Sequence, residues 1–357
     1  MKKLFLPILV LMWISLVAQQ NHAAKKDKEY VFKDDVRGKN AFRIMFYNTE
    51  NTFDTIKDSV KNDIDFTSEG NYHWTKWKFY NKLNHIAKTI IALGGWEVPD
   101  IIMLAEIENR YVLNRLIYST PLKAFRFGIV HEESPDARGI DVALIYRKEK
   151  FRELYHRAIN ITFPDQPESK TRDILYVKGI LSSKDTLNIF VNHWPSRLGG
   201  YEASMPRRKY VASVLKAATD TIFSANPDAN ILIAGDFNDE PFDESLSQVL
   251  KALPDTVTHS MPALVNMMYN KTGMEGSNKY QGNWSIIDQI ILSAPLFVRK
   301  SGLQITSAGA QIFKADFLLE DDATYTGKKP FRTYSGMKYI GGFSDHLPVY
   351  IDLIHNQ

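Results

Sequence analysis

Residues 231–238 read Ile-Leu-Ile-Ala-Gly-Asp-Phe-Asn. The four apolar residues predict a buried strand, and Gly235, Asp236 and Asn238 follow directly at its end. Such a polar run can be an ordinary turn, because turns favour Asp, Asn and Gly. It can also belong to a functional site held on a rigid sheet. The ends of the other strands help to decide between the two.

Several further segments combine an apolar strand with polar side chains at or near one end. They are Arg43–Tyr47 before Asn48 and Glu50, Ile101–Ala105 before Glu106, Leu187–Val191 before Asn192 and His193, Ile286–Leu292 around Asp288, and Leu347–Leu353 after Asp345 and His346. An unpaired carboxylate such as Asp288 is costly to bury among isoleucines, so it predicts a cation or a histidine beside it. We expect these side chains to meet at one edge of the strands.

Two long segments carry apolar residues at helical spacing, and two more apolar runs read as strands. The helices are Lys76–Leu93, burying Trp77, Tyr80, Leu83, Ala87 and Ile90 before Gly94-Gly95, and roughly Glu202–Phe223, burying Val211, Val214, Leu215, Ala218 and Ile222; the strands are Val142–Tyr146 and Leu175–Leu181. Strands outnumber helices, and several are covered on both faces. This predicts a layered α/β sandwich, with one large sheet or two packed sheets.

Composition predicts one large domain. The 357 residues are 44% hydrophobic and 24% charged, and no linker rich in Pro, Gly or Ser divides them, so we assign a single domain to residues 41–355.

The absence of cysteine excludes disulfides, a thiol nucleophile and thiolate metal sites. The net charge of +3 argues neither for nor against nucleic acid, although a local basic groove stays open.

The N-terminus resembles an export signal. Lys2 and Lys3 precede the apolar run Leu4–Val17, and small residues follow at Ala18 and Ala23. We assign residues 1–24 to a signal peptide and residues 25–40 to a polar lead-in, with an uncleaved membrane anchor as the alternative. An exported chain without cysteine fits a bacterial periplasm or exterior. We expect a monomer without a stable membrane span after signal removal.

The side-chain types indicate the cofactor. Carboxylates and Asn amides without cysteine suit a hard cation, Mg²⁺ with Mn²⁺ as substitute. Mg²⁺ sites usually accompany phosphate chemistry, in which the ion neutralises charge on phosphate oxygens. The expected partner is therefore a phosphoester.

These elements, in this order, resemble the endonuclease/exonuclease/phosphatase superfamily, which includes deoxyribonuclease I. The resemblance spans about Arg43 to Leu353 and adds Trp194-Pro195 and Leu347-Pro348 to the residues above. The segment Asn51–Lys82 further resembles an exported bacterial branch. The resemblance implies a four-layer αββα sandwich, in which two central mixed β-sheets are flanked by helices.

The same resemblance implies the metal ligands. Glu106 resembles the main Mg²⁺ ligand, assisted by Asn48 and Glu50, and Asp345 resembles a further ligand. Glu50 stands where many relatives carry Asp, and its longer side chain could shift a second metal position.

The implied catalytic residues come from the other strand ends. His346 resembles the histidine that contacts the scissile phosphate, with Asp288 orienting it. Asp236 would align or deprotonate the attacking water, and Asn238 would hold the water and a phosphate oxygen in line. His193 resembles the acid that protonates the leaving oxygen.

The sequence leaves open the roles of three further charged residues and the class of substrate. Arg197 could bind a substrate phosphate, since guanidinium binds phosphate in a bidentate way. Arg138 and Asp141 could pair with each other near the site or support a turn. The fold serves nucleases, phosphatases and phospholipid phosphodiesterases alike. We favour a nuclease-like phosphodiesterase, with nucleic acid as partner, over those enzymes and over a catalytically silent binding module.

Overall fold

The computed structural model of the chain describes residues 37–38, 40–256, 261–271, 275–299 and 301–356. The predicted signal peptide, residues 1–24, and residues 25–36 of the predicted lead-in lie outside the described residues. At the end of that lead-in, Arg37 forms an ion pair with Asp100, with 3.2 Å between Nη1 and Oδ2.

The strands of the described residues vary from two to twelve residues in length. In chain order they are β1 Ala41–Thr52, β2 Ile101–Ile107, β3 Phe127–His131, β4 Asp141–Arg147, β5 Phe151–Ile159, β6 Ile174–Leu181, β7 Thr186–His193, β8 Ile231–Asp236, β9 Ala252–Pro254, β10 Leu264–Asn266, β11 Asn278–Tyr280, β12 Asn283–Ser285, β13 Asp288–Ser293, β14 Gly302–Ile305, β15 Gln311–Ile312, β16 Leu319–Asp321, β17 Lys328–Pro330, β18 Tyr334–Ser335, β19 Lys338–Tyr339 and β20 Val349–Asn356.

Two large sheets hold most of these strands. The first sheet has the order β14-β20-β1-β2-β4-β3, with β15 also paired to β20, and the second has the order β5-β6-β7-β8-β13-β10-β9. Both sheets are mixed, because β1 and β2 run parallel in the first and β7 and β8 run parallel in the second. Three hairpins, β11-β12, β16-β17 and β18-β19, lie outside them.

The helices have uneven lengths. They are α1 Lys76–Gly94, α2 Arg110–Tyr118, α3 Tyr201–Ala225 and α4 Ala294–Val298, with a π-helix at Ser245–Leu250 and 3₁₀ turns at Ile64–Phe66, Pro121–Ala124, Tyr269–Lys271 and Asp316–Leu318. The first helix begins after Thr75, whose hydroxyl caps it, and ends at Gly95, which has a φ of 71°. No helix of the described residues combines the length and hydrophobicity that crossing a membrane requires.

Alternation along β1 explains the layers. Phe42, Ile44 and Phe46 point into the core between the two sheets, whereas Met45 and Tyr47 point into the core beneath α1 and α2. On the other side, α3 covers the second sheet through a third core. Both faces of each central strand are therefore buried, which is why these strands are continuous apolar runs. The result is the expected four-layer αββα sandwich.

The buried face of α1 differs from the prediction. Leu83, Ala87 and Ile90 are buried as expected, but Trp77 is 67% exposed and Tyr80 is 36% exposed. The first turn instead buries Phe79, and Lys82 is buried in the following turn. The sequence pattern treats Lys82 as a polar, exposed residue. The face of α1 that contains it was therefore not recognised as the buried face.

Candidate active site

Strands β1 and β2 carry their polar residues on irregular backbone. The pairing shifts between Asn48 and Thr52 on β1, and Glu106 is an unpaired extra residue between Ala105 and Ile107 on β2. Such bulges re-aim side chains at the end of a strand. Glu50 and Glu106 have φ values of 51° and 62°, the left-handed region in which residues other than glycine are strained.

The second sheet aligns three further residues by register alone. His193 of β7 pairs with Asp236 of β8, and Asp236 pairs with Asp288 of β13. All three are buried, so one edge of the sheet presents an imidazole and two carboxylates side by side. The structure thereby brings together strand ends that are far apart in sequence.

The loop before β20 adds two residues. His346 donates from its backbone N–H to the hydroxyl of Ser344, and its Nδ1 lies 2.7 Å from Oδ2 of Asp288. This is the Asp–His contact expected from the sequence. Asp345 is 30% exposed at the side chain and lies at the opening of the site.

Contacts across the two sheets join these groups into one site. The amide of Asn48 donates to Oδ2 of Asp236 over 3.0 Å. The Nε2 atom of His193 lies 3.7 Å from Oε1 of Glu106 and 3.7 Å from Oδ2 of Asp236. The same Asp236 oxygen lies 3.8 Å from Nε2 of His346. Glu106, Asp236 and His346 therefore belong to one cluster.

The two imidazoles have opposite electrostatic surroundings. Burial alone would lower the pKa of His346, but Asp288 and Asp236 outweigh it and raise that pKa well above its ordinary value. Burial lowers the pKa of His193 well below its ordinary value, and Arg172 and Arg138 lower it further. His346 is therefore the charged imidazole and His193 the neutral one. This favours His346 over His193 as a proton source, whereas the sequence prediction placed the acid at His193.

Burial raises the pKa of Asp236 to about 7, although His346 acts in the opposite direction. A carboxyl group that titrates near neutrality can accept a proton under working conditions. Its Oδ1 accepts the backbone N–H of Asn238, which itself has a φ of 52°. The Asn238 amide donates to the carbonyl of Trp194 over 3.1 Å.

Two cations that the sequence analysis missed hold Glu50 in place. Arg332 Nε lies 3.1 Å from Glu50 Oε1, and its Nη2 lies 3.2 Å from Asp345 Oδ2. The ammonium of Lys82 lies 3.9 Å from Glu50 Oε2 and donates to Thr333 Oγ1 over 2.6 Å. Glu50 and Arg332 are separated by 282 positions, so no local pattern could have paired them.

The acidic side chains suit a hard divalent cation. Burial and the neighbouring Asp345 carboxylate both raise the pKa of Glu50, which means that their negative charges repel each other. Glu106 has one oxygen fixed by the backbone N–H of Asn51, at 2.7 Å, and is 13% exposed at the side chain. An oxygen-rich, mutually repelling set of this kind fits Mg²⁺ or Mn²⁺. The identity and number of the ligands stay predictions.

Arg197 lies beside the site and already has protein partners. Its Nε donates to the carbonyl of Asn238 over 2.7 Å, and its Nη2 contacts Asp243 over 3.0 Å. With 37% of its side chain exposed, its role in substrate binding stays a prediction. Asp141 does not pair with Arg138: its Oδ1 accepts the backbone N–H of Ser134, so it supports the turn before β4.

One protein family matches most of this chain. The model of the Endonuclease/Exonuclease/phosphatase family matches residues 43–355. Among curated proteins none matches the chain.

Solved structures with a similar fold come from several organisms. Truncated TDP2 from Caenorhabditis elegans is 16% identical with a TM-score of 0.53, covering 88% of this chain and 97% of its own. TDP2 from D. rerio, complexed with a single-strand DNA product, is 15% identical with a TM-score of 0.51, covering 88% and 98%. An endonuclease/exonuclease/phosphatase from Bacteroides vulgatus is 14% identical with a TM-score of 0.53, covering 89% and 100%. At these identities the likeness establishes the fold.

Proposed function

The chain belongs to the endonuclease/exonuclease/phosphatase family and is a phosphoesterase; from this premise we propose that it is a nuclease-like phosphodiesterase dependent on a divalent metal. The observation that carries the proposal is the junction of Asn48, Asp236 and His346. In it an amide, a carboxyl group of raised pKa and a carboxylate-paired imidazole meet across two sheets. Cleaving a phosphodiester needs charge neutralisation, an aligned water and a proton for the leaving oxygen.

The proposed metal ligands are Glu106, Asn48, Glu50 and Asp345. The cation they would bind is Mg²⁺, with Mn²⁺ as substitute, and it would neutralise charge on the non-bridging oxygens of the phosphate. The chain's own cations complete this neutralisation. Arg332 is one of them, because its guanidinium contacts both Glu50 and Asp345 and 44% of its side chain is exposed.

We assign proton transfer to Asp236 and His346, two buried groups that lie 3.8 Å apart. Asp236 aligns the water and accepts its proton, because its pKa of about 7 leaves a useful fraction ionised near neutral pH. His346, charged and oriented by Asp288, donates to the phosphate or to the leaving oxygen. His193, neutral and 3.7 Å from Asp236, orients that carboxyl group. Asn238 positions the water, and Arg197 binds a distal phosphate.

One comparison supports nucleic acid as the substrate class. A structural neighbour, D. rerio TDP2, is complexed with single-strand DNA product.

One panel of substrates tests the proposal. Purified protein is incubated with supercoiled plasmid, linear DNA, RNA, a generic aryl diester, phosphoinositides and sphingomyelin, each with Mg²⁺, Mn²⁺ or chelator. We expect nucleic acid or the diester to be cut only with metal. Release of phosphate from a monoester alone would replace the proposal by a phosphatase, and sphingomyelin cleavage alone by a phospholipid phosphodiesterase. No cleavage of any substrate with either metal would contradict the proposed activity.

We also propose export to the periplasm or exterior of a bacterium, on the basis of residues 1–24 and the absence of cysteine. Cell fractionation with N-terminal sequencing of the mature protein tests this. Cleavage between Ala18 and Ala24 supports it. A cytoplasmic protein that keeps Lys2 and Lys3 contradicts it.

A further inference from the structure

A second cluster of potential ligands lies at the start of β4, apart from the proposed catalytic groups. His131 ends β3 and pairs with Ala143 of β4, while Asp141 is the first residue of β4. Because residues two apart on a strand share a face, Asp141 and His131 project on the same side as Ala143. That side is the one covered by α1 and α2, since Ala143 belongs to the core beneath these helices.

The facing atoms of this pair are buried and unsatisfied. The His131 and Asp141 side chains are 2% and 1% exposed, and Nε2 and Oδ2 lie 3.3 Å apart. The two atoms form an ion pair at this distance, and among the described residues neither has a hydrogen-bond partner. Buried polar atoms without a partner are uncommon, and an ion or water bound between them is one of the usual reasons.

A third group completes a ligand set. Glu133 is exposed, and one of its carboxylate oxygens lies within 4.8 Å of the ligand atoms of both His131 and Asp141. The other oxygen of Asp141 is already used by the backbone N–H of Ser134, at 2.9 Å, which fixes the carboxylate. The amine of Lys61 donates to the carbonyl of Ser134 over 2.6 Å.

We propose that His131, Glu133 and Asp141 form a second divalent-cation site, separate from the proposed catalytic one. One imidazole nitrogen with two carboxylate oxygens suits a borderline metal such as Zn²⁺, because imidazole is a poor ligand for Mg²⁺ and Ca²⁺. Three protein ligands leave a fourth position of a tetrahedral ion for water. This site goes beyond the phosphoesterase function and does not depend on it.

The ion would fix the loop of residues 132–140. In that loop Asp136 contacts the Arg172 guanidinium over 3.2 Å, and Arg172 also donates to the carbonyl of Trp194 over 2.6 Å. Trp194 directly follows His193. The bound ion would thus stabilise this loop and its contact with Arg172, without contributing a group to the proposed catalytic site.

Equilibrium dialysis tests the proposal with Co²⁺ as the probe for a Zn²⁺-type site. The full chain is dialysed against Co²⁺ in the presence of excess Mg²⁺, and bound cobalt is counted per chain. We expect His131→Ala and Glu133→Gln each to bind about one Co²⁺ fewer than the unaltered chain, and Zn²⁺ to raise the Tm of the unaltered chain by about 3 °C or more but not theirs. Glu133 is exposed, so its variant should fold even if the histidine variant does not.

His156 provides the matched control. It lies on β5 with Nε2 2.9 Å from Glu132 and Nδ1 2.5 Å from Glu153, so it is also a histidine held by carboxylates. His156→Ala should bind as much Co²⁺ as the unaltered chain. Equal cobalt in all four proteins would overturn the proposal, as would an equal loss in His156→Ala. Mg²⁺-dependent cleavage should be unchanged in Glu133→Gln, which distinguishes failure here from failure of the catalytic proposal.

Discussion

At the scale of single residues, four residues with left-handed backbone lie at the site. Glu50, Asn51, Glu106 and Asn238 all have φ values between 50° and 62°, although none is glycine. Each such residue costs about 1–3 kcal/mol and persists only where the surroundings determine it. Here the surroundings are hydrogen bonds, such as that from the Asn51 N–H to Glu106 Oε2. Such hydrogen bonds hold the strained backbone and thereby fix the position of the Glu106 carboxylate.

The Asp288–His346 contact makes the first prediction. Asp288→Asn removes the carboxylate charge that raises the pKa of His346, so less of the imidazole stays protonated near neutral pH. We expect kcat to fall by about 100-fold or more, and the alkaline limb of the pH–rate profile to move to lower pH. The control is Asp185→Asn, because Asp185 holds His355 in the same way, at 2.6 Å. An unchanged pH profile in Asp288→Asn would contradict the orienting role.

A carboxyl group beside the site predicts a pH dependence of stability. Burial raises the pKa of Glu108 to about 8, and the nearby Asp54 carboxylate adds to this. The unfolded group titrates near 4.3, so the folded state binds more protons between these values. The contribution of Glu108 to stability is present below about pH 4.3 and is lost as the pH rises toward 8.

Glu108→Gln should remove that contribution while keeping an oxygen for the backbone N–H of Asp54, 2.6 Å away. We expect the free energy of unfolding of the unaltered chain to fall more steeply from pH 5 to about 8 than that of the variant. Urea unfolding at several pH values, with chelator present, measures the difference. Parallel curves would mean that Glu108 titrates normally in the folded chain.

At the scale of elements, the central strands of both sheets could be predicted. Strands β3 and β5 and the short strands were missed, and the partners of the polar residues could not be predicted. The central part of β1, Arg43–Tyr47, could be predicted from the sequence. Both of its faces are buried, so its residues after Arg43 form a continuous apolar run. The last residues of the strand, up to Thr52, could not be predicted as strand, because their pairing with β2 depends on a bulge. Arg110–Tyr118 was missed as a helix, although Val112, Leu113, Leu116 and Ile117 are buried at helical spacing, because its nine residues make it much shorter than the two helices that were predicted. Arg332 reaches Glu50 through a long irregular segment, for which sequence patterns give no signal.

The buried face of α1 makes a prediction about stability. Ile86 is 1% exposed and packs in the core beneath the first sheet, whereas Trp77 is 67% exposed. Ile86→Ala should lower the free energy of unfolding by about 2–5 kcal/mol. Trp77→Ala, the control, should change it by less than about 1 kcal/mol, although it removes more atoms. A larger effect at Trp77 would restore the helix face that the sequence pattern predicted.

The same helix carries the buried cation of the site. Lys82 is 1% exposed, and burial lowers its pKa to about 8 despite the nearby Glu50. Lys82→Met should lower stability by about 3 kcal/mol, because it leaves the Glu50 carboxylate buried with less compensation. Adding Glu50→Gln should recover part of that loss, which a double-mutant cycle measures. Additive effects of the two changes would mean that the 3.9 Å contact contributes nothing.

At the scale of the whole molecule, the proposed metal-binding and catalytic groups are divided between the two sheets. Asn48 and Glu106 come from the first sheet, and His193, Asp236 and Asp288 come from the second. The sequence predicted this convergence because each group stands at the end of an apolar strand. It could not predict which sheet each strand joins, because that choice is made by pairing between distant segments. The site therefore depends on correct packing of the two sheets.

Metal binding should consequently stabilise the packed molecule as well as activate it. In the free chain the Glu50 and Asp345 carboxylates repel each other, and a cation that binds only the folded state relieves this repulsion. We expect saturating Mg²⁺ to raise the Tm by roughly 5 °C, the consequence of about 2.7 kcal/mol at a hundredfold excess over Kd. Glu106→Gln should abolish the shift, whereas Glu133→Gln, outside the proposed catalytic site, should keep it. A shift that survives Glu106→Gln would place the Mg²⁺ elsewhere and would separate metal binding from the strand ends on which the proposed chemistry depends.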